Sequence, residues 1–195
     1  MNEKGKLNLA NKLTLFRIIC VPIFAVFAAL AVHEPTRKLW FGLSLIIFCI
    51  ASITDCLDGR IARKYNMITD LGKFMDPLAD KLLTTTAFLY MLKGGALMTE
   101  VVVLLVGREF LVSGVRMLAA GSIQKAVIPA NFLGKLKTVL MMFMIIFYYG
   151  IMWIVGETPW LIPTVTVMSW VCVASSIISG ISYIFFSKDI IKDSH

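Results

Sequence analysis

Asp55-Cys56-Leu57-Asp58-Gly59-Arg60-Ile61-Ala62-Arg63, then eight residues, then Gly72-Lys73-Phe74-Met75-Asp76-Pro77-Leu78-Ala79-Asp80, is the stretch that decides how this chain is read. Written as a pattern it is D-x2-D-G-x2-A-R-x8-G-x3-D-x3-D. Asp55 and Asp58 are three apart, and Asp76 and Asp80 are four apart. On helices each pair shares one face. The flanking sequence is strongly apolar, and carboxylates beside hydrocarbon are costly unless they serve a purpose.

Working outward, the 195 residues are 58% hydrophobic and only 16% charged, with a mean hydropathy of +0.83. A soluble domain carries about 25% charged residues. The chain therefore reads as an all-α integral membrane protein forming a single domain, 1–195. Six apolar runs approach the roughly 20 residues of a membrane-spanning helix, near 13–33, 39–59, 75–93, 97–118, 136–156 and 160–186. Residues 1–12 are polar and basic with interleaved leucines, and read as an amphipathic segment lying at the interface. Basic residues before an apolar run and Ala29-Leu30-Ala31 mimic a cleavable signal. Asn11, Thr14 and Arg17 favour a retained first span instead.

The formal net charge of +7 would suggest nucleic acid in a soluble protein. Its distribution points elsewhere. With the N-terminus inside, only Arg37, Lys38 and Lys93 of the 19 Lys and Arg fall outside. The positive-inside rule then gives an N-in/C-in topology, which an even number of spans requires. A basic cytoplasmic face attracts anionic headgroups and phosphorylated substrates, so the expected partner is the lipid bilayer and not nucleic acid.

The expected external connections are short and punctuated by Pro or Gly: His33 to Lys38, Gly94-Gly95, and Gly156 to Pro159. Trp40, Trp153 and Trp160 sit near external span ends, where indoles anchor. The polar motifs lie on the other side. Cys20, Cys49, Cys56 and Cys172 have no metal-ligand spacing and read as reduced packing residues. In the last span Ser176 and Gly180 form a small-xxx-small pair suited to close helix packing.

If the second and third spans are antiparallel neighbours, Asp55, Asp58, Asp76 and Asp80 meet at their cytoplasmic ends. Asp70 breaks the spacing and reads as a solvated loop charge. Four uncompensated carboxylates would repel one another, and a divalent cation or two removes that repulsion. All-oxygen ligation favours Mg²⁺ or Mn²⁺. Gly59 permits close backbone approach to a ligand, and Arg63 offers a planar fork for phosphate. Asp76-Pro77 also suits a helix start, with Asp as N-cap and Pro at the first position. The plain alternative for the whole set is a solvated charged loop. A cation transporter would place its carboxylates near midplane, and a prenyltransferase has no reason for the Asp-Gly-x2-Ala-Arg continuation.

Every fixed position of the stretch resembles the signature of the CDP-alcohol phosphotransferase (phosphatidyltransferase) family, and the family's six-helix membrane fold agrees with the span count. The resemblance implies displacement of CMP from a CDP-activated lipid by a hydroxyl of an acceptor. It implies a two-metal centre on Asp55, Asp58, Asp76 and Asp80, with Asp80 also the catalytic base. It implies a cytidine-diphosphate cradle of Asp55, Gly59, Ala62, Arg63 and Gly72, and a homodimer.

Outside the stretch, Asn11, Thr14 and Arg17 occupy one broad face of the first span. Arg108-Glu109-Phe110, Arg116, and Gly134-Lys135-Leu136-Lys137-Thr138 add cations to the fourth and fifth. Arg108, Arg116, Lys135 and Lys137 suit an acceptor that itself carries a phosphate. Lys135 and Lys137 are two apart and diverge on a regular helix unless that helix starts after them. These outer motifs resemble the bacterial branch of the family that joins CDP-diacylglycerol to glycerol 3-phosphate in the cytoplasmic membrane. Inositol phosphate, serine or phosphatidylglycerol are the acceptors that the same family would otherwise offer.

Overall fold

The computed structural model describes residues 9–34, 38–64, 70–121 and 132–192, with side chains over 15–34, 38–55, 81–114 and 134–181. The described residues form six helices and no strand: α1 (Leu9–His33), α2 (Lys38–Lys64), α3 (Asp70–Lys93), α4 (Thr99–Gly121), α5 (Phe132–Ile154) and α6 (Leu161–Lys192). Each overlaps one of the six apolar runs. Four stretches among the described residues are long and apolar enough to cross a membrane: Leu15–His33, Lys38–Asp55, Gly134–Ile154 and Leu161–Ile181. Large apolar side chains also cover their outward faces, including Ile19, Val26, Leu39, Val139, Val167 and Ile178. Helices apolar on every face belong in lipid or in a large core.

The chain divides into two compact units, one of Met1–Tyr90 with Tyr149–Glu157, the other of Met91–Tyr148 with Thr158–His195. In the first, α1 packs along α2. The buried residues of α1 recur as Arg17, Cys20, Phe24, Ala28 and Ala31, and those of α2 as Phe41, Ser44, Phe48 and Ala51. Steps of three and four draw one stripe on each helix. Phe24 meets Phe48 with ring centroids 6.1 Å apart, and Phe27 stacks on Trp40 at 6.1 Å. These contacts run in opposite chain directions, so the helices are antiparallel. Tyr149 of α5 closes on Phe24 at 5.6 Å and Phe41 at 6.1 Å.

Two of the expected short connections, at Gly94-Gly95 and at Gly156 to Pro159, fall among the described residues, while 35–37 lie outside them. Gly95 has a φ of 75° and ends α3 in a left-handed turn. Its N–H donates to Leu92 and that of Ala96 to Met91, satisfying carbonyls that a helix end leaves open. Gly156, with a φ of 91°, ends α5 likewise. Lys38 Nζ donates to the Val155 carbonyl at 2.7 Å, placing a cation on the negative end of α5.

Two local readings are corrected. Asp76-Pro77 does not start the third helix, because α3 begins at Asp70. Asp70 is consequently its first residue and not a loop charge. Leu71, Phe74, Met75 and Leu78 carry the helical period back past the proline, whose missing N–H forfeits only one bond. Most of the interfacial segment expected at 1–12 lies outside the described residues, and Leu9–Lys12 are continuous with α1.

Candidate active site

The backbone places the aspartate motif on two consecutive helices of one unit. Asp55 and Asp58 lie one turn apart near the end of α2, and Gly59, Ala62 and Arg63 complete that helix. Gly72, Asp76 and Asp80 lie on α3, the last two again one turn apart. Six residue steps separate Lys64 from Asp70, so the two helix ends are within about 20 Å. Of the four aspartates only the Asp55 side chain falls among the described ones. The side chains of Asp58, Ala62, Arg63, Asp76 and Asp80 lie outside them, as do those of Asn11, Thr14, Cys56 and Arg116.

Asp55 has a partner that the sequence reading did not pair with it. Arg17 Nη1 is 2.8 Å from Asp55 Oδ1. The arginine side chain is 1% exposed and the aspartate 37%. The pair thus has a buried cation and a carboxylate at the rim. An arginine within an apolar span is itself the signal, since such a charge needs a counter-ion.

The donor set fits a hard divalent cation. The motif offers carboxylate oxygens only, in two pairs each on one helix face, and the one described member is partly exposed. Among the described residues no group of three or more His, Cys, Asp or Glu gathers.

A second polar cluster lies in the other unit. Arg108 of α4 donates from Nε to the Ser176 carbonyl at 3.0 Å and from Nη2 to Ser179 Oγ at 2.9 Å. Its Nη1 is 3.1 Å from Glu109 Oε1. Lys137 of α5 donates to that same Glu109 oxygen. A carboxylate held between two cations offsets the cost of burying them. Gly180 lies beside Arg108, and an added Cβ there would sit in ordinary contact, 3.4 Å from Nε and 3.7 Å from Cγ.

The divergence of Lys135 and Lys137 is resolved by where α5 begins. It starts at Phe132, so both lysines are helical, and Lys137 is buried while Lys135 is exposed. Sequence reasoning singled out Arg108 and Lys137 but missed the roles of Glu109 and Ser179. Ser176 and Gly180 read as a packing pair, and here the guanidinium of Arg108 packs against them. Cys20, Cys49 and Cys172 are free thiols, buried or half-buried in apolar helices, as expected.

A family model of CDP-alcohol phosphatidyltransferases matches residues 7–182, which include both helix pairs described above. The chain belongs to the CDP-alcohol phosphatidyltransferase family. Curated relatives sharpen the comparison. A CDP-diacylglycerol–glycerol-3-phosphate 3-phosphatidyltransferase of Bacillus subtilis (strain 168) is 41% identical over 138 residues, 67% of this chain and 70% of the relative. One of the same name from Rickettsia bellii (strain RML369-C) is 36% identical over 187 residues, 90% of this chain and 93% of the relative. Another, from Rickettsia felis (strain ATCC VR-1525 / URRWXCal2), is 38% identical over 184 residues, with the same coverage. As a member of this family the chain is a transferase, and its aspartate motif is the region in which its chemistry is sought.

Proposed function

We propose that the chain transfers the phosphatidyl group of CDP-diacylglycerol to glycerol 3-phosphate, giving phosphatidylglycerol phosphate and CMP. The observation that carries this reading is the near-complete match to relatives named for that transfer, over 90% of the chain. The aspartate helices and the cation cluster are the two features of the fold that such a reaction needs.

In this reading the glycerol hydroxyl attacks the lipid-side phosphorus of CDP-diacylglycerol. The bond from that phosphorus to the CMP oxygen breaks, and CMP leaves with the electron pair. Asp80 takes the hydroxyl proton, a role that requires hydrogen-bond reach of the acceptor. Gly59, Ala62, Arg63 and Gly72, bordered by Asp55, hold the cytidine diphosphate. Arg108 and Lys137 hold the acceptor phosphate, with Arg116 and the exposed Lys135 as further cations of the set. Asn11, Thr14 and Arg17 line the α1 side. Mg²⁺ or Mn²⁺, one ion or two on Asp55, Asp58, Asp76 and Asp80, would neutralise the pyrophosphate and the departing CMP.

The remaining features belong to the same reading. All six helices span the cytoplasmic membrane of a bacterium with both termini inside, as one membrane domain. The site opens to the cytoplasm, and the chain works as a homodimer. An acceptor panel tests the reaction. Purified chain is given CDP-diacylglycerol and either glycerol 3-phosphate, inositol phosphate, serine or phosphatidylglycerol. Turnover confined to glycerol 3-phosphate supports the proposal. Turnover with a different acceptor alone removes the acceptor assignment and leaves the family.

A further inference from the structure

Arg17 continues the buried stripe of α1, and Asp55 continues that of α2. The stripe on α1 runs from Ala31 back through Ala28, Phe24 and Cys20 to Arg17. The stripe on α2 runs from Phe41 through Ser44, Phe48 and Ala51, and four residues later the next position is Asp55. Phe24 faces Phe48 within this antiparallel seam, and Arg17 faces Asp55 two turns further along it. Every other member of the stripe is apolar or small. Packing alone would be served at position 17 by another apolar residue, without the desolvation cost of a buried guanidinium.

The burial of the two partners is unequal. Arg17 is 1% exposed, while 37% of the Asp55 side chain is open. A buried, wedged partner is the fixed member of such a pair. The contact at 2.8 Å ties Oδ1 to a position set by the α1–α2 seam, and the exposed part of the carboxylate is what a cation would reach. Nη1 lies at ion-pair distance from Oδ1 without the alignment of a hydrogen bond, so charge and distance hold the carboxylate, and arginine keeps that charge permanently.

We infer that Arg17 is a positioning residue that holds Asp55 in the orientation in which it binds the divalent cation. The inference rests on the proposed role of Asp55 as a ligand. Two effects oppose each other here. The guanidinium charge disfavours a second cation nearby, and the fixed carboxylate favours it. Partners that orient metal ligands are commonly worth about 10–100-fold in metal affinity, and the inference is that this effect is the larger of the two.

The test is Mn²⁺ binding to full-length detergent-solubilised protein, with CDP present, read by loss of the free-ion electron paramagnetic resonance signal. Arg17→Gln, Arg17→Lys and Asp55→Asn are compared with the unaltered chain. The expected result is that Arg17→Gln weakens Mn²⁺ binding about tenfold, with Arg17→Lys between it and the unaltered protein. The Mn²⁺ concentration for half-maximal turnover rises in parallel. Should Arg17→Gln fail to fold, Arg17→Lys decides alone, with unchanged Mn²⁺ binding overturning the inference. Arg17→Gln binding Mn²⁺ as tightly as the unaltered chain or tighter, while Asp55→Asn loses it, also overturns the inference and leaves Asp55 a ligand. Asp55→Asn retaining full Mn²⁺ binding removes the ligand role itself, and the inference with it.

Discussion

Lys137 of α5 and Arg108 of α4 donate to one and the same oxygen of Glu109. Two cations on separate helices are thereby held to a single carboxylate, with side-chain exposures of 8% and 13% for the cations and 25% for Glu109. The helices could have packed through apolar contacts alone. The charges instead keep two cationic side chains together in a low-dielectric environment, where removing one partner is costly.

Glu109→Gln should therefore separate the two cations as well as destabilise the fold. The expected loss is about 1–3 kcal/mol, below the 3–5 kcal/mol of a fully buried pair because Glu109 is partly exposed. Thermal unfolding in detergent measures it. KM for glycerol 3-phosphate should rise more than kcat falls.

The two lysines of α5 should behave differently. Lys137→Met removes a buried cation that is bonded to Glu109, whereas Lys135→Met removes an exposed one. Losing one charge-assisted contact costs about 1.5–3 kcal/mol, a factor of roughly 10–100 in KM for glycerol 3-phosphate. The Lys135 variant should stay within about threefold, the small effect expected of an exposed charge. Steady-state kinetics on the pair gives the comparison directly.

Gly180 lies beside Arg108. Gly180→Ala places a Cβ at 3.4 Å from Arg108 Nε, a contact that a shift of a few tenths of an ångström relieves. Its effect on turnover should be small. Gly180→Leu fills the space and displaces the guanidinium from Ser179, so KM for glycerol 3-phosphate should rise sharply while Mn²⁺ binding is kept. A size series of Ala, Val and Leu tests the order.

Among the described glycines Gly42 has the tightest surroundings. A Cβ there would lie 2.6 Å from Trp153 Nε1 and 2.7 Å from Cε2, inside the van der Waals limit of a rigid ring. Gly42→Ala should destabilise the protein by about 1–3 kcal/mol through overpacking. A lowered unfolding temperature, with KM values unchanged in the folded fraction, is the expected signature.

The helices were legible because their signals are long and local. Runs of about 20 apolar residues and Gly or Pro punctuation placed all six. The exception at Asp76-Pro77 is instructive. A local N-cap signature was overridden by apolar residues Leu71, Phe74 and Met75, which extend the α3 period upstream. The aspartates were legible as a pattern of spacing. Their partners were not, because a partner such as Arg17 lies 38 positions from Asp55 and pairs with it only through the α1–α2 register. What approaches the small residues of the last span was hidden for a related reason. Small residues in a span signal closeness, and the identity of what approaches depends on another helix, here Arg108 of α4.

The most direct test of the central claim is the incorporation of radiolabelled glycerol 3-phosphate into lipid by purified chain supplied with CDP-diacylglycerol and Mg²⁺. Labelled lipid and CMP should appear in equal amounts. Both should be abolished by a chelator, and both reduced at least about a hundredfold by Asp80→Asn in folded protein. No incorporation by folded protein, or full incorporation by the Asp80→Asn variant, would contradict it.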